Sequence, residues 1–325
     1  MRLKLVPTET KIDFFKRGYI TMGLSAVLAV LSVVAFLTMG LNYGIDFKGG
    51  SVIRTATPAP VAASVYRDVL STLELGDFTV TEVKDPGADL TDTNRNAVMI
   101  RIEQQSDIPE TQNDIISEVK AALGNEIEGI SFLQTDSVGA KVSGELVVAG
   151  IEAVVLAVLA VLFYIWLRFE WQFSLGAVAA LVHDVVLTIG VFAAFQIEFN
   201  LSIIAAILTI VGYSLNDTVV VFDRVRENLR RFKAKPLREL LNMSINETLS
   251  RTVMTSVTTL LALVALYVLG GDVIRGFTFA MIWGVIVGTY SSVFVASPIL
   301  LRLGVKRDWD KDNGAAGTQY ANIDA

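Results

Sequence analysis

The sequence predicts an α-helical polytopic membrane protein with six spans and one small α+β domain inserted between the first two. Three observations carry this. Of 325 residues, 53% are hydrophobic and only 18% charged, and the mean hydropathy is +0.54, far from a soluble globular chain. The apolar residues fall in six runs, 18–39, 146–167, 173–196, 201–222, 252–269 and 277–301. Each is near the roughly 20 residues that a helix needs to cross about 30 Å of hydrocarbon. Between 41 and 145 the pattern changes to short alternating elements, as a compact domain outside the bilayer requires.

The first run follows Arg2, Lys4, Lys11, Lys16 and Arg17. A charged start and an apolar stretch also describe a signal peptide, but the run is too long for one, and its removal would spoil the six-helix parity. Lys and Arg recur at alternate ends of the spans: Arg168, then Arg224, Arg226, Arg230, Arg231, Lys233, Lys235, Arg238 and Arg251, and finally Arg302, Lys306 and Arg307. The turn 197–200 has none, and 270–276 has only Arg275. Basic residues concentrate on the cytoplasmic side, so 1–17 reads as a cytoplasmic N-terminus, 18–40 as the first span and 41–145 as a periplasmic domain. Residues 146–302 then hold spans two to six with a cytoplasmic connection at 223–251, and 303–325 form a cytoplasmic tail without fixed structure.

Within the domain, 51–57 reads as a strand, 60–73 as a helix, 78–84 and 97–104 as strands, 109–123 as a helix and 130–136 as a strand. The order βαββαβ is that of a ferredoxin-like split unit. Gly44, Gly49 and Gly50 lack the spacing of a phosphate loop and mark a turn from span to strand. The domain holds no cluster with metal-ligand or catalytic spacing, and the chain has no cysteine, so neither a metal site nor thiol chemistry is expected. Nothing points to nucleic acid.

Ionisable residues inside a span cost about 2.5–3.5 kcal/mol on insertion scales and demand a reason. Asp217 sits in a polar interruption of span four with Ser214, Asn216 and Thr218. It either lines a hydrated path or pairs with Arg224, two turns on. Span five opens with Arg251, Thr255, Ser256, Thr258 and Thr259 at helical spacing. Arg251 facing Asp217 would give a proton switch; as a flank residue it would only set topology. His183 and Asp184 in span three read equally as a relay or as a packed polar pair. Span six carries Gly276, Ala280, Gly284, Gly288, Ser292 and Ala296, a small residue every fourth position, which allows close approach of another helix. The amphipathic part of 223–251 is expected to lie along the lipid surface.

Several strings resemble one family. Gly44-Ile45-Asp46-Phe47-Lys48-Gly49-Gly50, Leu181-Val182-His183-Asp184, Ser250-Arg251-Thr252, Ile274-Arg275-Gly276-Phe277 and Gly288-Thr289-Tyr290-Ser291-Ser292 look like motifs of the SecD/SecF protein-export family. So does the most specific one, running from Gly212-Tyr213-Ser214-Leu215-Asn216-Asp217 to Phe222-Asp223-Arg224. The resemblance implies a bundle of the resistance-nodulation-division type, completed by a SecD partner to which the span-six stripe would be open. It also implies work at the SecYEG translocon after SecA, with the proton gradient rather than a cofactor drawing unfolded polypeptide outward. The family's proton path maps onto Asp217 and Arg251. The chain departs from the family at Ala140, where proline is common, and at Glu247, where glutamine is frequent.

Two other functions fit parts of the sequence. An efflux transporter of lipids or small molecules would use the same bundle but larger outer domains. An intramembrane aspartyl protease would need Asp184 and Asp217 to share a proton, and the Gly-x-Gly-Asp signature is absent. No catalytic residue is expected.

Overall fold

The computed structural model describes residues 10–73, 75–76, 78–83, 96–104, 109–270 and 274–305. Arg2, Lys4, Lys84, Lys306, Arg307 and the expected tail beyond 305 lie outside them. The chain begins with α1 (Gly18–Met39), followed by the short strand β1 (Asn42–Tyr43) and a one-turn helix, α2 (Ile45–Lys48). The domain proper comprises β2 (Gly50–Thr57), α3 (Ala63–Ser71), β3 (Phe78–Val83), β4 (Asn96–Glu103), α4 (Pro109–Glu126) and β5 (Ser131–Val138). The remaining spans are α5 (Ala140–Arg168), α6 (Trp171–Phe195), α7 (Leu201–Arg231) and α8 (Leu237–Leu269), with the strand β6 (Glu198–Phe199) between α6 and α7. The last span is α9 (Arg275–Ser291), a π-helical turn at Ser292–Ala296 and α10 (Ser297–Leu303). Among the described residues six helical spans are thus long and apolar enough to cross a bilayer.

The domain sheet has the order β3-β4-β2-β5, antiparallel throughout, which is the ferredoxin-like arrangement. Period-two alternation decides its faces: Val98, Ile100 and Ile102 of β4 are buried with Ile53 beneath Tyr66, Leu70, Val119 and Leu123 of the two helices. The opposite face, with Arg54, Arg101 and Asp136, borders a cleft of about 410 Å³ against the bundle. The glycine turn has a steric cause. Gly50 has φ of +129°, and a Cβ there would fall on the Ile102 carbonyl oxygen, so no other residue fits.

Among the described residues the bundle has two apolar clusters. One, nearer the domain, gathers Phe192, Phe199, Ile203, Ile210 and Ala280. The other holds Phe173, Phe222, Leu229, Leu240, Ile245 and Leu300, with the Phe173 and Phe222 rings 5.1 Å apart edge to face. Half or more of the most apolar stretch of α6, α7 and the last span is buried (50%, 50% and 61%), against 6–11% for α1, α5 and α8.

Two expectations are corrected. Residues 223–251 do not lie along a lipid surface; they extend α7 and α8 into a helical hairpin turning at 232–236. Their apolar face, Leu240, Leu241 and Ile245, packs on Val225 and Leu229 of α7. The segment before α1 docks there too, with the Phe14 N–H donating to Asn242 Oδ1 at 2.9 Å and the Ile12 N–H to Asn246 Oδ1 at 2.9 Å. The small-residue stripe is also satisfied within the chain. A Cβ on Gly284 would collide with Ile210, one on Gly288 would lie 3.0 Å from Ser214 Cβ, and one on Gly276 3.4 Å from Ile203 Cδ1. Ala280 and Ser292 are buried. From Gly276 to Gly288 the stripe therefore faces α7, and its end at Ala296 lies against Gly176 of α6, so it is used within the chain.

Candidate functional site

Between the two apolar clusters lies a polar layer, and the glycine stripe creates it. Because Gly284 and Gly288 bring α9 close to α7, the hydroxyls that follow on α9 reach the centre of the bundle. Positions 214, 217 and 218 of α7 lie at i, i+3 and i+4 and share one face; Ser214, Asp217 and Thr218 are all buried. Asn216 is about 100° round the helix and exposed.

Asp184 is 1% exposed and fully engaged. Its Oδ2 accepts from Ser214 Oγ at 2.6 Å and from Ser291 Oγ at 2.7 Å, and Oδ1 lies 2.9 Å from His183 Nδ1. Asp184 therefore joins α6, α7 and α9 through one carboxylate. His183 stacks on Tyr290, with centroids 6.4 Å apart, and the Tyr290 hydroxyl donates to the Thr21 carbonyl at 2.9 Å and accepts from Ser25 at 3.1 Å, which seats α1. His183 Nε2 is buried without a partner among the described residues.

Asp217 has the opposite surroundings. It is 2% exposed, and its Oδ2 has no hydrogen-bond partner among the described residues. The Thr289 hydroxyl and the Arg251 charge act on it, but Thr289 Oγ1 already donates to the Val285 carbonyl at 2.7 Å and lies 2.7 Å from Ser256 Oγ. Thr252, one turn before Ser256, is likewise buried with an unpartnered hydroxyl. Arg251 itself is exposed and makes no ion pair among the described residues. Thr255 bonds the carbonyls of its own helix, Arg251 O at 3.2 Å and Thr252 O at 2.9 Å, and Thr218 bonds Ser214 O at 3.2 Å.

Arg224 does not pair with Asp217. It binds Glu227 and Glu247, each at 2.6 Å, and Glu247 also accepts from Asn228 at 2.7 Å. The carboxylate at position 247 is thus a tie between α7 and α8. Among the described residues no hydrogen bond joins Asp184 to Asp217, so the shared proton of an aspartyl protease is missing, and no group of His, Asp and Glu is arranged for a metal. Sequence reasoning assigned no role to Ser291, Thr289 and Tyr290; the available signal was the hydroxyl-rich string beside the stripe.

The fold and its polar layer define a multi-pass membrane protein of the transport kind. The family profile described as "Protein export membrane protein SecD/SecF, C-terminal" matches residues 118–306, and the "SecD/SecF GG Motif" matches 34–57. The chain belongs to the SecD/SecF family. It is 54% identical to the protein translocase subunit SecF of Cereibacter sphaeroides over 100% of this chain and 99% of that one. Against the SecDF subunit of Brucella abortus it is 44% identical over 94% of its length, spanning 39% of the relative. The crystal structure of SecDF, a translocon-associated membrane protein from Thermus thermophilus, superposes with a TM-score of 0.80 at 32% identity, over 93% of this chain and 40% of that one. The protein is accordingly a protein-export transport component, not an enzyme, and relatives in which both parts form one SecDF chain tie it to SecD.

Proposed function

We propose that this chain, paired with SecD in the bacterial inner membrane, uses the proton-motive force to promote the late stage of polypeptide translocation through SecYEG, after SecA has begun it. The observation that carries this reading is the buried, unpartnered Oδ2 of Asp217 beside a carboxylate whose bonds are all made. A carboxylate with an open oxygen takes up and releases a proton without breaking a hydrogen bond; Asp184 does not.

Protonation of Asp217 removes the charge that attracts Arg251, and deprotonation restores it, so the packing of α8 against α7 follows the proton. The hydroxyls of Ser214, Ser256 and Thr289 line the seam along which water would carry it. One charge moving through 100 mV supplies about 2.3 kcal/mol, comparable to the cost of repacking a helix contact. On this reading the basic hairpin and the described segments before α1 and after α10 lie at the cytoplasmic end, and the domain at the periplasmic end. Asn216 and Arg251, exposed at or near bilayer depth in the isolated chain, gain cover from SecD; lipid is the less favourable neighbour.

The test is Asp217→Asn in membrane vesicles holding SecYEG and SecD. Gradient-dependent export is lost while the variant still co-purifies with SecD. Undiminished export in that variant ends the proposal.

A further inference from the structure

The α+β domain meets the bundle at the turn that opens α7. Asn42 and Tyr43 of β1 lie parallel to Glu198 and Phe199 of β6, and the Gly44 N–H donates to the Phe199 carbonyl at 2.8 Å. A side chain at Gly44 would abut this turn, its Cβ 2.7 Å from Glu198 Oε1. Two residues on, Asp46 reaches over the end of α7, where its Oδ2 accepts the Leu201 backbone N–H at 2.9 Å.

The first N–H groups of a helix have no partner within it, and an acidic side chain both satisfies one and complements the helix dipole. Asn200, at the N-cap position of α7, makes no such bond; its Oδ1 accepts from Ser202 instead, at 2.6 Å. The cap of α7 is therefore supplied from another segment, the one that leads into the domain. A second tie comes from the sheet itself: Arg101 of β4 forms an ion pair with Glu198 in the same turn. α7 then continues without a break from Leu201 to Arg231, so a displacement at Leu201 is carried along its axis to Asp217, about 24 Å away.

We propose that Asp46, assisted by the Arg101–Glu198 pair, is the mechanical joint between the α+β domain and the helix bearing Asp217. It is a positioning residue: movement of α7 drags the domain through this cap, and load on the domain is felt at α7 by the same route. The inference rests on the export reading above. Two separate signals distinguish them, proton entry and polypeptide movement.

The experiment uses proteoliposomes holding SecYEG, SecD and the full chain. A pH-sensitive dye in the lumen reports proton entry, and gradient-driven completion of a late-stage translocation intermediate reports export. Asp46→Ala lowers export at least about fivefold, the shift that loss of one cap hydrogen bond carries, while proton entry persists. Asp46→Asn, which keeps an acceptor oxygen, restores export. Arg101→Gln uncouples in the same sense and carries the test if Asp46→Ala fails to assemble with SecD. Export at the parental level in Asp46→Ala and Arg101→Gln overturns the joint, as does a parallel fall of both signals. Asp217→Asn alongside loses both signals; if it keeps both, the export reading fails, and the joint fails with it.

Discussion

Asp184 holds three helices together through one oxygen pair, and this can be measured. Ser214→Ala and Ser291→Ala each remove one of the two hydroxyl donors on Oδ2, at 2.6 and 2.7 Å. Hydrogen bonds to charged groups contribute about 1.5–3 kcal/mol in soluble proteins, while polar contacts between membrane helices average about 0.6 and reach about 1.7 kcal/mol. A buried site where donors from three helices converge belongs at the upper end of the membrane range, so each single variant costs about 1–1.5 kcal/mol. In the double variant Oδ2 stays buried with no donor, and the full desolvation penalty appears. The loss should exceed the sum of the singles by about 1 kcal/mol or more. Reversible unfolding in mixed micelles, followed through the four tryptophans, gives all the required values. Asp217→Asn in the same assay leaves stability unchanged or raises it, because Oδ2 of Asp217 has no partner to lose. Single variants within about 0.3 kcal/mol of the parent and a strictly additive double would refute the assignment of Asp184 as the tie.

Three further outcomes follow from local geometry. Gly284→Ala places a Cβ on Ile210 and costs about 1–3 kcal/mol of overpacking, offset by at most about 1 kcal/mol of helix propensity; Ile210→Ala costs clearly less in that background than in the parent, a coupling read in the same unfolding assay. Gly50→Ala drives its Cβ onto the Ile102 carbonyl, a backbone atom fixed in the sheet ladder, so limited proteolysis cuts the domain of that variant while the bundle resists. Asp13 is held below the usual carboxylate range mainly by its hydrogen bond from Asn242, with Arg238 and the Phe15 N–H assisting. Its folded pKa is depressed, so its contribution to docking the N-terminal segment is present above the ordinary value and is lost as pH falls through the lowered one. Amide exchange at Phe14, corrected for its intrinsic rate, should therefore lose protection below about pH 4, and Asp13→Ala should abolish that dependence.

The spans and the strand order were legible because both rest on periodicity. Length of apolar run marks a bilayer crossing, and period-two alternation in 97–104 marks β4. The joints were less so. An amphipathic pattern at 237–245 fits a lipid surface and a neighbouring helix equally well, and only the fold reveals that α7 is the neighbour. The stripe on α9 was recognisable as a packing face but carried no address, since the matching surface, Ile203, Ile210 and Ser214, is not unusual in composition. Asn216 and Asp217 were grouped as one polar interruption, although adjacent residues on a helix point about 100° apart, and that phase already separates them. Ser291 lies 107 positions from Asp184, and no local signal spans such a distance.

The contrast between the two carboxylates also bears on which helix moves in the proposed cycle. A protonation switch needs a rigid frame that moves as one body, or the energy of the proton is spread over the whole bundle. Asp184 supplies that frame by tying α6, α7 and α9 with bonds that are all made, and the stripe locks α7 against α9. What remains on the open side of Asp217 is α8, which presents Thr252 and Ser256 inward and Arg251 outward and has only 11% of its most apolar stretch buried. At the far end α8 is not free either, since Glu247 holds it to Arg224 and Asn228 of α7. Between that anchor and the domain end, α8 is held by the hydroxyl contacts Ser256–Thr289 and Tyr213–Thr259. On the proposed function the charge on Asp217 therefore controls the tilt of α8 about Glu247 against the unit of α6, α7 and α9, and that unit carries the domain with it through the cap at Leu201.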